Sequence, residues 1–354
     1  MNRLSELHRR LSASERLNAA DRSLLALLIP LGWLYGIIAW LRVRCYRLGI
    51  LRSWRPPVPV VSVGNLAVGG TGKTPTVDAV AKHFLATGRR VAIVSRGYGA
   101  PGGKSARIVC TGQGPLLSAD ICGDEPFLLA RRNPTAIVIV ARKRARGVHL
   151  AIERLGAQIV ILDDGFQHLA VQRDADLVLL DCGSPLGNRQ VLPAGILREF
   201  PAALRRADLF LLTRCGNETD TSKELPGPVF RSRHRLSEQA LSLQGEAVAL
   251  ESLREKKGVA FAGIADPELF FRQLREKGLF LTETVAFGDH VPYDANDLAR
   301  LKHAADGADF LITTEKDAVK LAEMNSGLPC YQVPLELEIE QHDELMSHLS
   351  ALIR

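Results

Sequence analysis

The alternation of apolar and polar stretches divides the chain into three parts. Ser23 to Leu41 is a run of nineteen uncharged residues, SLLALLIPLGWLYGIIAWL, closed by Arg22 and Arg42. Its length suffices to span a bilayer. Arginines on both flanks give the positive-inside rule no direction, Pro30 interrupts the run, and no small-residue cleavage site follows. Trp33, Ile37 and Trp40 recur at helical spacing on one face. The expected element is a helix lying in or dipping into a membrane interface, with its arginines on anionic headgroups. A spanning helix and a buried core helix are the alternatives. From residue 58 the pattern changes. Val58–Val63, Val91–Val94, Ile137–Val140, Gln158–Leu162 and Leu177–Leu180 are short apolar runs rich in β-branched residues, separated by helical patterns such as TVDAVAKHFLATG. Buried strands alternating with helices predict a mostly parallel α/β sheet. After residue 228, VALE (248–251), GVAFAGI (258–264), LFLTETVAF (279–287) and DFLITTE (309–315) alternate with PELFFRQLREKG, YDANDLARLKHAADG and KDAVKLAEMN. This is a second, smaller α/β unit. The stretches 229–234 and 331–337 flank it and can pair as a connecting ribbon. The expected organisation is a basic, apolar, membrane-associated helical segment (1–55), a core domain (56–228), a smaller α/β domain (229–335) and a C-terminal helix (336–354).

Composition narrows the class. A chain of 354 residues exceeds one ordinary domain, and 46% hydrophobic with 24% charged residues excludes a disordered or fibrous chain. Six scattered cysteines without a C-x-x-C pair argue against a zinc ribbon or disulfide scaffold and suit a reducing cytosol. Net charge is +6, but residues 1–60 hold ten Arg, no Lys and three acids, a net of +7, so everything after residue 60 sums to −1. A nucleic-acid-coating surface is excluded. The basic, Trp-bearing segment instead implies an anionic membrane surface.

Candidate chemistry begins after Val63. The segment from Gly64 to Pro75 reads GNLAVGGTGKTP, between a strand and a helix, the context a phosphate-binding P-loop requires. Ala67, Val68, Gly69, Gly70, Thr71, Gly72, Lys73 and Thr74 are its expected nucleotide contacts. Glycines let backbone N–H groups close on phosphate oxygens, the helix N-terminus adds its dipole, Lys73 reaches the β- and γ-phosphates, and Thr74 serves Mg²⁺. The first glycine of G-x-x-x-x-G-K-T falls on Ala67. No N-K-x-D base-reading motif is present, and the position of a second lysine before G-G-x-G-K-T is Val68. Guanine-nucleotide switches and the two-lysine ATPases are therefore disfavoured, and a small-molecule kinase using ATP and Mg²⁺ is favoured. A membrane-associated P-loop ATPase or switch acting on a protein partner is the alternative.

Gln158–Leu162 ends in Asp163-Asp164-Gly165-Phe166-Gln167-His168. A carboxylate at the C-terminal end of a parallel strand beside a P-loop is where a Walker B aspartate holds Mg²⁺. Two adjacent aspartates point different ways, so one serves the metal and the other the substrate or Lys73. Further polar clusters follow other strands: Ser95-Arg96-Gly97-Tyr98-Gly99, Gly123-Asp124-Glu125-Pro126, the basic group Arg142, Lys143, Arg144 and Arg146, and the long loop Gly187–Glu199. Loops after strand C-termini line the ligand crevice of open α/β sheets. The acids of GDEP also fit plain helix N-terminal charges, and the basic group fits a solvated face.

VGNLAVGGTGKTP, SRGYG, GDEP, LDDGFQH, GNRQVLPAGILRE, FAGIADPELFF, FGDH and TTEKDAVKL occur in this order. Together with the apolar, basic N-terminus they resemble the tetraacyldisaccharide 4′-kinases, the lipid A 4′-kinases of Gram-negative bacteria, from about residue 20 to about residue 335. The resemblance implies a peripheral or monotopic, monomeric enzyme on the cytoplasmic face of the inner membrane. It would move the γ-phosphoryl of ATP to the 4′-hydroxyl of a tetraacylated disaccharide 1-phosphate, forming lipid IVA. It further implies P-loop roles for Lys73 and Thr74, a Walker B pair in Asp163 and Asp164, and an acid–imidazole dyad of Asp124 and His290. It places Glu199 near the metal, and Arg96, Arg142, Arg144, Gln167 and His168 near the substrate. Ala67 is no departure, since that position is not glycine in this family. Val291 is one: many relatives carry a second His there, which leaves His290 as the only base candidate of the motif. Closure of the smaller domain would bring His290 toward the P-loop and exclude water.

Overall fold

The computed structural model describes residues 18–97, 105–216, 225–264, 266–288, 293–321 and 327–353. The apolar run becomes one helix, α1 (Ala19–Arg47). Asn18 caps it by accepting from the Asp21 N–H, and Arg44 and Arg47 lie in its last turn, where cations suit the helix dipole. Pro30 is accommodated inside it. By length and composition α1 is apolar enough to cross a membrane, and little of it is covered by the rest of the chain. Leu27 is 70% exposed, and Leu31, Trp33, Leu34, Ile38 and Trp40 are exposed as well. A buried core helix does not look like this. Gly32 and Gly36 form the docked face: a Cβ at Gly32 would meet the Val191 carbonyl oxygen at 2.9 Å, and one at Gly36 the Phe200 ring at 2.4 Å. Of the three tryptophans, Trp54 stays with the soluble body, stacked on His149.

The first sheet is built from β1 (Val60–Asn65), β2 (Val91–Ser95), β3 (Arg107–Thr111), β4 (Ile137–Val140), β5 (Ile159–Asp163), β6 (Ala175–Asp181), β7 (Leu209–Thr213), β8 (Val229–Leu236) and β15 (Leu335–Ile339). Its order is β15-β8-β7-β6-β1-β5-β2-β4-β3, parallel except at the two edges, β3 and β15. β1, β2, β4 and β5 are buried along their whole length, which is why they read as unbroken apolar runs rather than alternating ones. Helices α2 (Lys73–Ala86), α3 (Asp124–Arg132) and α4 (Arg144–Glu153) follow β1, β3 and β4.

The second sheet runs β10-β9-β14-β13-β11-β12, from β9 (Gln239–Ser242), β10 (Ala247–Ala249), β11 (Lys257–Ala262), β12 (Phe280–Ala286), β13 (Phe310–Thr314) and β14 (Cys330–Val333), with α5 (Pro267–Glu276) and α6 (Ala295–Ala304). It has its own core around Phe270, Phe271, Leu274 and Phe310. β8 and β15 pair antiparallel, Leu236 opposite Leu335, and belong to the first sheet's edge. The tail expected to be helical from residue 336 therefore starts as strand. Its helix, α7 (His342–Leu352), packs Leu345, Met346 and Leu349 into the first core.

One buried ion-pair network ties the two sheets. Arg132, at the end of α3, donates from Nε to Glu315 at 3.0 Å, from Nη1 to Asp78 of α2 at 3.1 Å, and from Nη2 to the Leu335 carbonyl at 2.9 Å. Breaking one member strands the others as uncompensated buried charge. Cys182 and Cys215, just beyond the ends of the neighbouring strands β6 and β7, are joined as a disulfide. This single bridge is not a scaffold, and it is invisible in sequence because strand pairing, not spacing, brings the two together.

Candidate active site

β1 and β5 are neighbours in register, Val63 opposite Asp163. The loop leaving β1 therefore lies directly beside the aspartate pair. Gly72 caps α2 with a φ of 76°, a left-handed value that favours glycine, and Gly69 has a φ of 116°. No heavy atom lies within 4 Å of where a Cβ would stand on Gly69 or Gly70. The loop is thus an open cradle at a helix N-terminus, the geometry that receives a phosphate group. Asn65 fixes it from below by donating to the Thr71 hydroxyl at 2.9 Å, and Thr213 donates to the Thr71 carbonyl at 3.1 Å.

The cradle is shorter than expected. Residues 66–68 run alongside 196–198: Val68 N–H donates to the Ile196 carbonyl at 2.8 Å, Arg198 N–H to the Leu66 carbonyl at 2.8 Å, and Ala67 bridges Leu197. The Val68 N–H is therefore spent on the long loop and is not free for a phosphate, while Ala67 is held in place by the bonds of its two neighbours. Ala67 needs no glycine, since the turn begins only at Gly69.

Lys73 Nζ stands 4.0 Å from Asp164 Oδ1, and Thr74 is in the first turn of α2. Asp163 and Asp164 diverge as adjacent residues do. Asp163 is buried and accepts from the Ser95 hydroxyl, at the end of β2, at 2.7 Å. Burial pushes its carboxyl up, against Ser95 and Arg144. Asp164, with a φ of 54°, turns outward and takes Arg198 Nη1 on both oxygens at 2.8 Å. Burial acts upward there too, but Lys73 and Arg198 outweigh it and hold Asp164 below the usual carboxylate range. Neighbouring carboxyls driven apart in this way are suited to separate roles.

The long loop reverses one assignment. Arg198 faces the site, touching Asp164 and, at 3.2 Å, Gln167. Glu199 faces the other way and gives both oxygens to Arg206, at 2.8 and 2.9 Å. In this arrangement the Glu199 carboxylate is committed to Arg206 rather than turned toward Lys73 and Asp164. Adjacent side chains leave the chain in different directions, and only the docking of the loop fixes which one faces in. Arg144 is corrected likewise. It is 2% exposed and donates to the Asp163 carbonyl at 2.9 Å, so it supports the end of β5 rather than contacting a substrate. Gln167 is pinned through the Asn65 carbonyl at 3.0 Å. His168 is pushed down to about 4, first by burial and then by the positive charges of Arg144, Arg42 and Arg96. Arg96 and Arg142 are exposed, and Arg142 makes no ion pair among the described residues.

Asp124 opens α3, half-buried in its first turn. Its expected partner His290 lies outside the described residues, as do Tyr98, Gly99 and Val291. Glu125 was missed as a site residue. Its carboxyl is pushed up by burial and by Asp163, while Lys316, just after β13, and Lys73 act against this. The signal was present, since GDEP sits where a helix N-terminus faces the crevice, but spacing alone does not rank its two acids. Arg198 likewise stood beside the residue chosen.

A family model described as tetraacyldisaccharide-1-P 4′-kinase matches residues 24–354. The chain belongs to the tetraacyldisaccharide 4′-kinase family. A tetraacyldisaccharide 4′-kinase from Syntrophotalea carbinolica is 53% identical over 353 residues, covering 100% of this chain and 99% of the relative. One from Geobacter metallireducens is 48% identical, covering 90% and 95%. A crystal structure of LpxK from Aquifex aeolicus in complex with ATP superposes with a TM-score of 0.79 at 32% identity, covering 94% of this chain and 100% of that one. The α/β architecture is thus that of the 4′-kinase family.

The donor set fits Mg²⁺. No group of three or more His, Cys, Asp or Glu gathers as a metal site among the described residues. Mg²⁺ in kinases needs none, because one or two carboxylates, a hydroxyl, water and substrate phosphates complete its octahedron. Thr74, in the first turn of α2, and Asp163, at the end of β5, are the groups that would supply the protein's share.

Proposed function

We propose that this chain transfers the γ-phosphoryl of ATP to the 4′-hydroxyl of tetraacyldisaccharide 1-phosphate, a step of lipid A biosynthesis, at the cytoplasmic face of the inner membrane. One observation carries the reading. The loop from Val191 to Phe200 docks an uncovered apolar helix through Val191 and Phe200 and, between them, lays Arg198 on the strand-end aspartate, so chemistry and membrane contact share one short segment.

In this reading Gly69–Thr74 cradle the phosphates, and Lys73 neutralises charge on the transferred group. Thr74 and Asp163 hold Mg²⁺, which supplies charge neutralisation on the phosphate oxygens. Arg198 and Lys73 keep Asp164 ionised and aimed. His290 accepts the proton of the 4′-hydroxyl, with Asp124 fixing its tautomer. Arg96 and His168 receive the anionic sugar beside Arg42. The unit 229–335 acts as a domain that closes on the cradle, the enzyme works as a monomer, and no nucleic acid takes part.

The test is ATP turnover by the full-length protein in detergent, with and without the acylated disaccharide phosphate. The expected result is lipid-dependent ADP release matched by phosphorylated lipid. Hydrolysis indifferent to that lipid, with no phosphorylated lipid formed, would favour an ATPase acting on a protein partner.

A further inference from the structure

α1 has two flanks beside its docked face. Arg42 lies on the flank whose charge reaches His168. Helical geometry turns about 200° in two residues, so Trp40 and Arg44 face the other way. On that far flank, α1 and the 3₁₀ turn Pro201–Arg206 enclose a groove of about 240 Å³. Trp40, Val43 and Phe200 line it with apolar surface, Arg44, Arg47 and Arg205 with charge, and the Glu199–Arg206 pair also borders it.

The charge there is unbalanced. Glu199 neutralises Arg206, and no carboxylate among the described residues lies within ion-pair distance of Arg44, Arg47 or Arg205. Arg44 instead lies over the Trp40 ring, 5.8 Å from its centroid. Trp40 is 52% exposed and continues the bare apolar surface of Leu34, Ile37 and Leu41. Three guanidiniums beside an apolar lining, at the edge of an apolar helix, match an amphiphile that brings an anion and hydrocarbon together. An open groove of this size admits a small anionic headgroup such as a phosphodiester with its glycerol, with the attached hydrocarbon left to the bare face of α1.

We propose that this groove binds the headgroup of an anionic phospholipid of the surrounding bilayer, a site separate from the substrate patch on the opposite flank. It rests on reading α1 as an interfacial helix.

The experiment is vesicle co-sedimentation of the full-length protein on phosphatidylcholine alone and on phosphatidylcholine with phosphatidylglycerol. The wild type should bind the anionic vesicles at least tenfold more tightly. Arg44→Gln with Arg47→Gln and Arg205→Gln should cut that preference to within about twofold, while phosphatidylcholine binding and ATP turnover in detergent stay within about twofold of wild type. Replacing the same three by Lys should keep most of the preference, which separates lost charge from misfolding. A matched control, Lys256→Gln with Arg272→Gln and Lys302→Gln, should keep it too. If the control loses as much, the preference belongs to the whole molecule's field and the groove is overturned as a site. If soluble glycerol phosphate at millimolar concentration abolishes the wild-type preference, a free anion is the occupant and the lipid proposal falls. If the wild type binds neither vesicle, the interfacial reading of α1 fails instead.

Discussion

α1 and the strand ends around Asp163 are both mainly apolar in sequence, and the molecule treats them oppositely. β1, β2 and β5 are wholly buried, and the polar groups at their tips are each committed to a named partner: Ser95 to Asp163, Arg198 to Asp164, Asn65 to Thr71. α1 exposes most of its side chains and holds the body mainly through two glycines and Val43. Apolar surface that finds no protein partner has to find another solvent. The difference predicts that single changes at the strand tips are severe and chemical, and that changes along α1 are mild and concern where the enzyme sits.

The largest effect is expected from the proposed base of the acceptor hydroxyl. His290→Ala should lower turnover about 10²–10⁴-fold with ATP affinity preserved, measured by steady-state kinetics in detergent. A loss of only a few-fold would remove its role as base. Lys73→Ala should cost about 10²–10³-fold in kcat, the range for losing one charge-stabilising donor.

The reversed pair of the long loop sharpens the contrast. Arg198→Ala should lower kcat by about 10- to 100-fold, as expected for a charge-assisted hydrogen bond, with little change in melting temperature. Glu199→Gln should do the opposite: it breaks a buried pair and costs about 3 kcal/mol of stability, with kcat in detergent nearly unchanged. Equal loss of kcat in both would return Glu199 to the metal. On the helix side, Gly36→Leu must displace the Phe200 ring and should cost about 1–3 kcal/mol by denaturant titration. Leu34→Ser, on the uncovered face, should leave that value unchanged.

A further contrast is in pH. His168 is held down to about 4, and so is His234, whose ring lies beneath Gly72, chiefly by burial. In the unfolded chain both titrate near 6.5. Above that pH their contribution to stability is complete. As pH falls from 6.5 toward 4, the unfolded chain takes up protons that the folded chain refuses, and stability is lost. Denaturation midpoints should fall across that window, and His168→Asn with His234→Asn should flatten the slope.

The fold was legible because it is written in runs. Parallel strands buried on both faces leave unbroken β-branched stretches, and the G-G-T-G-K-T turn and the Asp163–Asp164 pair sit where such runs stop. What escaped depends on partners distant in sequence. That Val68 spends its N–H on Ile196, that Arg144 is drawn under Asp163, and that Arg198 rather than Glu199 faces in are decided by how the long loop settles against β1. Local pattern carries no record of that docking. Residues 336–339 read as the start of a helix because their pairing with β8 is a tertiary event.

Phe200, against which Gly36 rests, is only two residues from Arg198, which holds Asp164. Two residues of chain span at most about 7 Å. The altitude of the phosphate loop above the plane of α1 is therefore set by a very short ruler. On the proposed interfacial placement of α1, a hydroxyl is in range only if it projects from the bilayer by the matching height, and depth in the membrane becomes a coordinate of substrate selection alongside shape and charge.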